Sequence, residues 1–141
     1  DNLDGFNSSD LPTVSATYIQ KNDSWVSGNG STDADPDTNI KIQFSEAMLT
    51  SSITVKTDSG SNCSGTILLS KADGSGNFFT SCVQMSSTVT VSSNNKTFTF
   101  APSVNLNSTT YKIRVTTGVK DGSGNSMSDN YTTGTGFGVS K

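Results

Sequence analysis

The sequence predicts an all-β domain in which two antiparallel sheets pack face to face. Short segments alternate apolar with polar residues, and turns rich in Gly, Asn and Ser separate these segments. Only one short stretch is rich in helix formers, so the sequence predicts no helix long enough to cover a sheet. Each sheet must then bury its apolar face against the other. We expect a β-sandwich of about seven to nine antiparallel strands in two sheets.

The segment Thr38–Met48 is the clearest strand. Ile40, Ile42 and Phe44 fall on one face, with polar residues between them, and this period of two is typical of a half-buried strand. Directly after it, residues 45–50 contain a potential N-cap followed by helix formers, which predicts a single helical turn.

The chain before this strand divides into one strand and one loop. Residues 13–19 predict a first strand in which Val14, Ala16 and Tyr18 point inward. The segment Gln20–Asp37 is rich in Gly, Asn, Ser and Asp and is expected to be a long loop.

The strands that follow are predicted from the same alternation. They are expected at residues 52–57, 64–71, 77–81, 88–92, 96–100, 110–116 and 136–140. Tyr111, Ile113 and Val115 should point into the core, whereas Lys41 and Lys112 should point outward.

The domain organisation follows from length and composition. A chain of 141 residues is long enough for one domain with its own core. Residues 1–11 are mostly polar and predict a flexible N-terminal linker, and residues 12–141 form the expected sandwich domain.

Cys63 and Cys82 are the two cysteines of the sequence, and they flank two strand-like runs joined by a glycine-rich turn. A hairpin at that turn would bring them together, so a disulfide is the simplest interpretation. A loop of this size would add about 3 kcal/mol to stability in the chain-entropy model. Two free thiols are the alternative, and a disulfide would indicate an oxidising compartment outside the cytoplasm.

Charge and composition exclude several classes of function. The formal net charge is −3 and the basic residues are scattered, so we expect no nucleic-acid partner. No apolar run approaches the ~18 residues of a membrane span, so we expect none in this segment. The sequence has no histidine, which excludes Ser–His and Cys–His nucleophilic sites and histidine-ligated zinc. We therefore expect that the chain is not an enzyme.

Asp33, Asp35, Asp37 and Asn39 place oxygen-bearing side chains at every second position. This spacing allows a loop to wrap calcium, the one cofactor that the sequence suggests. The run lacks the glycine and the bidentate glutamate of the EF-hand loop. The alternative is a solvated turn in which these side chains make local hydrogen bonds.

Two identical pentapeptides, Asp73–Asn77 and Asp121–Asn125, are predicted to be turns. Glycine supplies the positive φ angles, and the aspartate closes each turn by hydrogen bonding to nearby backbone. A second cation site near the later copy, with Asp129 as an added ligand, is the alternative.

Several motifs together resemble the bacterial immunoglobulin-like domain of the S-layer (SbsA-type) family. They are Thr38–Met48, Lys96–Pro102, Leu106–Tyr111, Lys112–Asp121 and Gly124–Asn125. The resemblance runs from Pro12 to the C-terminus and implies an immunoglobulin-like sandwich used in extracellular bacterial proteins. It also places Tyr111 where such sandwiches often have a corner tyrosine, whose hydroxyl bonds to nearby backbone. A plain inward aromatic is the alternative.

We therefore expect a non-catalytic module of a bacterial surface or secreted protein. It would be exported, monomeric, and act as a spacer or stalk between neighbouring domains of the same chain. Trp25 could form an adhesive surface for a host or cell-surface ligand, or it could fold back and cap the sandwich. The alternative function is an accessory carbohydrate-binding module of a secreted enzyme.

Overall fold

The computed structural model describes residues 11–60, 62–73 and 75–139. In these ranges the chain forms ten strands and one short 3-10 turn at Thr50–Ser52. The strands are β1 (Val14–Lys21), β2 (Ser24–Ser27), β3 (Ile40–Phe44), β4 (Ile67–Ala72), β5 (Phe78–Cys82), β6 (Met85–Val91), β7 (Thr97–Pro102), β8 (Thr110–Val115), β9 (Tyr131–Thr132) and β10 (Phe137–Gly138). Apart from Leu11, the predicted linker lies outside the described residues.

The strands form two antiparallel sheets, which confirms the predicted sandwich. The first sheet has the order β2-β1-β3-β7-β6. The second has the order β10-β8-β4-β5, and β9 pairs with the C-terminal half of β8. None of the helical segments in the described part of the chain has the length and apolar character needed to cross a membrane.

In the first sheet, the apolar side chains of β3 alternate as predicted and point into the core. Ile40 lies opposite Phe100 and Ile42 lies opposite Phe98, and all four side chains are buried. The rings of Phe44 and Phe98 meet edge to face, with their centroids 5.8 Å apart. The prediction for this strand is confirmed.

The second sheet contributes Tyr111, Ile113 and Val115, which are all buried as predicted. The Tyr111 ring stacks on Phe137, and its hydroxyl accepts a hydrogen bond from the Asn107 backbone N–H at 2.9 Å. Burial raises the pKa of the Tyr111 hydroxyl, and the Asn107 N–H opposes this effect. Tyr111 is therefore a corner tyrosine.

The predicted orientation of β1 is wrong for most of the strand. A β-bulge shifts the register with β3 between Val14 and Ala16. After this bulge Thr17 and Ile19 are buried, whereas Tyr18 lies on the outward face. One extra residue reverses the faces of a strand, because the side-chain period is two.

The helical turn predicted at residues 45–50 is also wrong. The segment bends at residues 45–46 and is held to a distant part of the chain, because the Leu49 N–H donates to the Lys120 carbonyl at 2.8 Å. The helical turn that does form is the 3-10 turn, which begins at the last predicted residue, Thr50. The strand predicted at residues 52–57 is reduced to one parallel bridge between Val55 and Ile67.

Lys112 is buried rather than exposed, so its predicted orientation needs correction. It lies on the face of β8 opposite the core, but the segment before β10 covers this face. Its Nζ donates to the Gly134 carbonyl at 2.6 Å. Lys56 is also buried, and its Nζ contacts an Asp58 carboxylate oxygen at 2.7 Å. The Lys56 hydrogen bond lowers the pKa of Asp58.

Cys63 and Cys82 form the predicted disulfide, with their Cα atoms 5.1 Å apart. The bridge joins the loop before β4 to the end of β5. Because β5 is the edge strand of the second sheet, the disulfide anchors this edge to the preceding loop.

Candidate functional site

The segment between β1 and β3 contains the residues that the sequence singled out. It is not one long loop, because Asn22 and Asp23 form a tight turn with φ angles of 52° and 65°. Two successive residues with positive φ are typical of a type I′ hairpin turn. This turn joins β1 to β2, a strand that the polar composition concealed.

Asp35 stabilises this hairpin turn from outside. Its side chain is 9% exposed, and its two carboxylate oxygens accept the backbone N–H groups of Asn22 at 2.8 Å and Asp23 at 3.0 Å. Its own backbone N–H donates to the Gln20 carbonyl at 2.9 Å. The carboxylate therefore holds the turn against the start of β3.

Thr38 and Asn39 join the same network on the other side. The Thr38 hydroxyl is fully buried, accepts the Gln20 N–H and donates to the Asn39 carbonyl, both at 2.7 Å. The Asn39 N–H donates to the Gln20 side-chain oxygen at 2.8 Å. These polar residues therefore have structural partners.

The four predicted calcium ligands are not gathered around one point. Asp33 and Asp37 are exposed, and the Asp35 carboxylate is turned toward the hairpin. In the described ranges, no group of three His, Cys, Asp or Glu side chains is placed to hold a metal. These hydrogen bonds favour the turn interpretation. The calcium site stays a prediction, and a rise in melting temperature with millimolar calcium would support it.

Trp25 lies on the outward face of the first sheet, where it is 37% exposed. The Lys41 Nζ lies 4.1 Å from the centroid of its ring and 5.4 Å from that of Tyr18. We call Tyr18, Trp25 and Lys41 the aromatic patch. Sequence reasoning missed Tyr18 because the bulge in β1 reverses its face. The binding role of Trp25 stays a prediction.

Residues 29–34 run beside the C-terminal strand, and we call this segment the strap. The strap runs parallel to β10, as the Ala34–Val139 bridge shows. Three main-chain hydrogen bonds join the two segments: Gly30 N–H to the Gly136 carbonyl at 2.6 Å, Gly138 N–H to the Ser31 carbonyl at 2.9 Å, and Ala34 N–H to the Gly138 carbonyl at 2.9 Å.

Asn29 adds a side-chain connection at the start of the strap. Its Oδ1 accepts the backbone N–H groups of Thr135 at 2.8 Å and Gly136 at 2.9 Å. Gly136 has a φ of 78°, and a Cβ at this position would collide with the Tyr111 carbonyl. Only glycine lets the backbone pass this close to β8.

The two repeated pentapeptides form turns, as predicted. In each turn the aspartate Oδ1 accepts the N–H groups two and four residues later. These distances are 2.8 and 2.9 Å for Asp73, and 3.0 and 2.8 Å for Asp121. Asp121 is only 1% exposed and is also hydrogen bonded to the Glu46 side chain.

The pKa values of both aspartates are lowered, but the causes differ. Burial acts to raise the pKa of Asp121, and hydrogen bonds from Asn125, Glu46 and Ser123 outweigh it. The backbone N–H groups of Asn77 and Ser75 are the main reason for the lowered pKa of Asp73. Both carboxylates are thus held ionised by the turns that they close.

A family model described as a bacterial Ig-like domain matches residues 12–138. Among solved structures, domains 1–6 of the surface layer protein SbsC resemble this chain with a TM-score of 0.57 and 18% sequence identity. The match covers 93% of this chain and 14% of that chain. At this identity the likeness shows the fold. No curated protein matches the chain at a significant level.

Proposed function

The chain belongs to the bacterial Ig-like domain family, as its motifs predicted, and from this premise we propose that it is a non-catalytic spacer module. It would be part of an exported bacterial surface or secreted protein, and it would hold neighbouring domains of the same chain apart. The match to 14% of a multidomain surface layer protein supports a modular role of this kind.

The observation that carries this proposal is the use of the acidic side chains. Asp35 and Asp121 are the buried carboxylates among the described residues, and each accepts backbone N–H groups that shape a turn. A catalytic carboxylate needs access to a substrate. These two stabilise loops instead, which is the use expected in a structural module.

The disulfide supports an extracytoplasmic location. Disulfides persist in oxidising compartments, and this one anchors an edge strand that is otherwise open to other chains. Protease treatment of intact cells tests the location. Cleavage of the protein on intact cells would support exposure at the surface, whereas protection until lysis, with no secreted protein, would contradict it.

Replacement of this module in the complete polypeptide encoded by its gene tests the spacer function. Deletion of residues 12–139 should reduce antibody access to the domains beyond it, since the spacing is lost. An unrelated sandwich domain of similar length should restore access, because a spacer acts through its dimensions. Failure of this replacement, with the foreign domain folded, would show that specific surface contacts matter.

The aromatic patch supports a second candidate function, which is carbohydrate binding. An exposed indole ring near a second aromatic ring on the outward face of the sheet offers a surface on which sugar rings can stack. Trp25→Ala should abolish binding on a glycan array with little change in melting temperature. Val104→Ala, which changes another exposed apolar side chain, is the matched control. A wild-type chain that binds no glycan would exclude this candidate.

A further inference from the structure

The C-terminal strand is held on both of its sides. The backbone groups of Phe137 and Val139 point toward β8 and the residue before it. Phe137 pairs with Tyr111, and the Val139 N–H donates to the Thr109 carbonyl at 2.9 Å. Gly136 and Gly138 face the strap, with which they share the hydrogen bonds described above. Consecutive residues of this short strand therefore bond in opposite directions, and the strand is not a free edge.

The direction of the strap determines how it would respond to tension. The strap belongs to the N-terminal part of the domain, and β10 lies at the C-terminal end. When the two ends of the chain are pulled apart, β10 is loaded directly and is drawn along its own direction, whereas β1 and β2 lie between the N-terminal end and the strap. β10 then slides along a strap that the rest of the fold holds in place. Their hydrogen bonds run across the strands, so sliding strains them together. An antiparallel pair pulled from one end would open one bond at a time.

The strap is also firmly anchored to the rest of the fold. Ala34 is fully buried in the core, and the Asp35 network described above fixes the chain immediately after it. On the other side, Phe137 is 1% exposed and Val139 is 4% exposed. Sliding β10 along the strap would therefore also pull two apolar side chains out of the core.

We propose that the strap and β10 form a mechanical clamp that resists unfolding when the domain is pulled through its two ends. This inference rests on the proposed spacer function and deepens it, because a spacer between surface domains transmits tension. The long connection between β2 and β3 then has a mechanical purpose. It supplies the parallel partner of the C-terminal strand.

Single-molecule force spectroscopy tests the clamp on this chain flanked by reference domains in one polypeptide. Asn29→Ala removes the side-chain acceptor of two clamp hydrogen bonds. It should lower the unfolding force and make unfolding under load roughly tenfold faster. Asn130→Ala is the matched control, because its Oδ1 accepts the Thr117 N–H at 3.0 Å, away from the clamp.

The direction of pulling provides a second test that needs no variant in the clamp. In this test the force is applied between the N-terminus and Ser93, which lies in the exposed turn between β6 and β7. β10 then lies outside the part of the chain that is pulled. The wild-type chain should then unfold at lower force, and Asn29→Ala should have no further effect.

Two results would overturn the clamp. One is equal unfolding forces for the wild type in both directions of pulling. The other is a loss of force in Asn29→Ala that is no larger than in Asn130→Ala. Either result would leave the spacer function intact, since a mechanically weak domain can still separate its neighbours. Conversely, a failed module replacement in cells would leave a measured clamp intact.

Discussion

Two turns of this molecule share the sequence Asp-Gly-Ser-Gly-Asn but lie in different environments. Asp73 begins the turn between β4 and β5, and Asp121 begins a turn after β8. The backbone hydrogen bonds to the aspartate Oδ1 are the same in the two turns, and their second glycines, Gly76 and Gly124, have φ angles of 82° and 89°. In the later turn the Asn125 Nδ2 also donates to the Asp121 Oδ2 at 3.2 Å. Five residues are therefore enough to determine the local conformation.

The environments of the two aspartates differ because of distant residues. Asp121 is buried against the segment after β3, where the Gly122 N–H donates to the Ala47 carbonyl at 3.2 Å and Glu46 contacts its side chain. Asp73 projects from a hairpin and is partly exposed. The comparison separates the contribution of the turn itself from that of the surrounding fold.

The largest difference in stability between the two turns is expected when the aspartate of each turn is replaced by alanine. Asp121→Ala should reduce the free energy of unfolding by about 2–3 kcal/mol, because buried hydrogen bonds to a charged group are lost. Asp73→Ala should cost less, since water can replace the lost acceptor. Denaturant unfolding measures both, and equal losses would contradict the importance of the surrounding fold.

In contrast to the aspartates, the second glycines of the two turns should lose the same free energy of unfolding when they are replaced by alanine. Gly76→Ala and Gly124→Ala should each cost about 1 kcal/mol, because a side chain is strained at positive φ. A Cβ at either position would meet no other atom within 4 Å, so only the backbone contributes. Gly122→Ala is the control, since its φ is not positive and its space is also open. Unequal costs in denaturant unfolding would mean that the turns are not equivalent locally.

Acid should weaken both turns. The pKa of Asp121 and that of Asp73 lie below the ordinary value of 3.8, so each ionised carboxylate stabilises the fold above that pH. This stabilisation is lost as the pH falls through the lowered pKa. The stability difference between the wild type and Asp121→Asn should therefore narrow from about pH 7 to about pH 2. A constant difference in urea unfolding would show that the charge is unimportant.

The smallest effect is expected for Glu46→Gln. A glutamine amide can donate a hydrogen bond to the Asp121 carboxylate, so stability should stay within about 0.5 kcal/mol of the wild type. Glu46→Ala removes the contact and should cost more. Melting curves distinguish the two variants, and an equal loss in both would show that an amide cannot replace the Glu46 carboxyl group in this contact.

The sequence was sufficient to predict the strands that bury one face. β3, β7 and β8 were predicted because their apolar residues follow a period of two. It was not sufficient for β1, since the bulge after Val14 depends on pairing with β3. The burial of Lys112 was also missed, because the covering segment at Gly134 lies 22 residues away along the chain.

The candidate site was harder to predict than the core. Asp35 was identified from the sequence, but its partners lie in a turn 12 and 13 residues earlier. Asn29 was not identified, because it bonds to residues 106 and 107 positions later. Local composition indicated only a polar loop. The adjacent Asn22 and Asp23 were the one local signal for the missed hairpin, because both residues tolerate positive φ.

The disulfide also limits how far this domain can lengthen once it has unfolded. Cys63 and Cys82 are 19 residues apart, and the covalent bridge withholds the chain between them from extension. At ~3.5 Å per residue, about 65 Å of contour length stays hidden while the bridge is intact. The maximum reach of an unfolded copy is thus set by its oxidation state, and reduction would release this reserve.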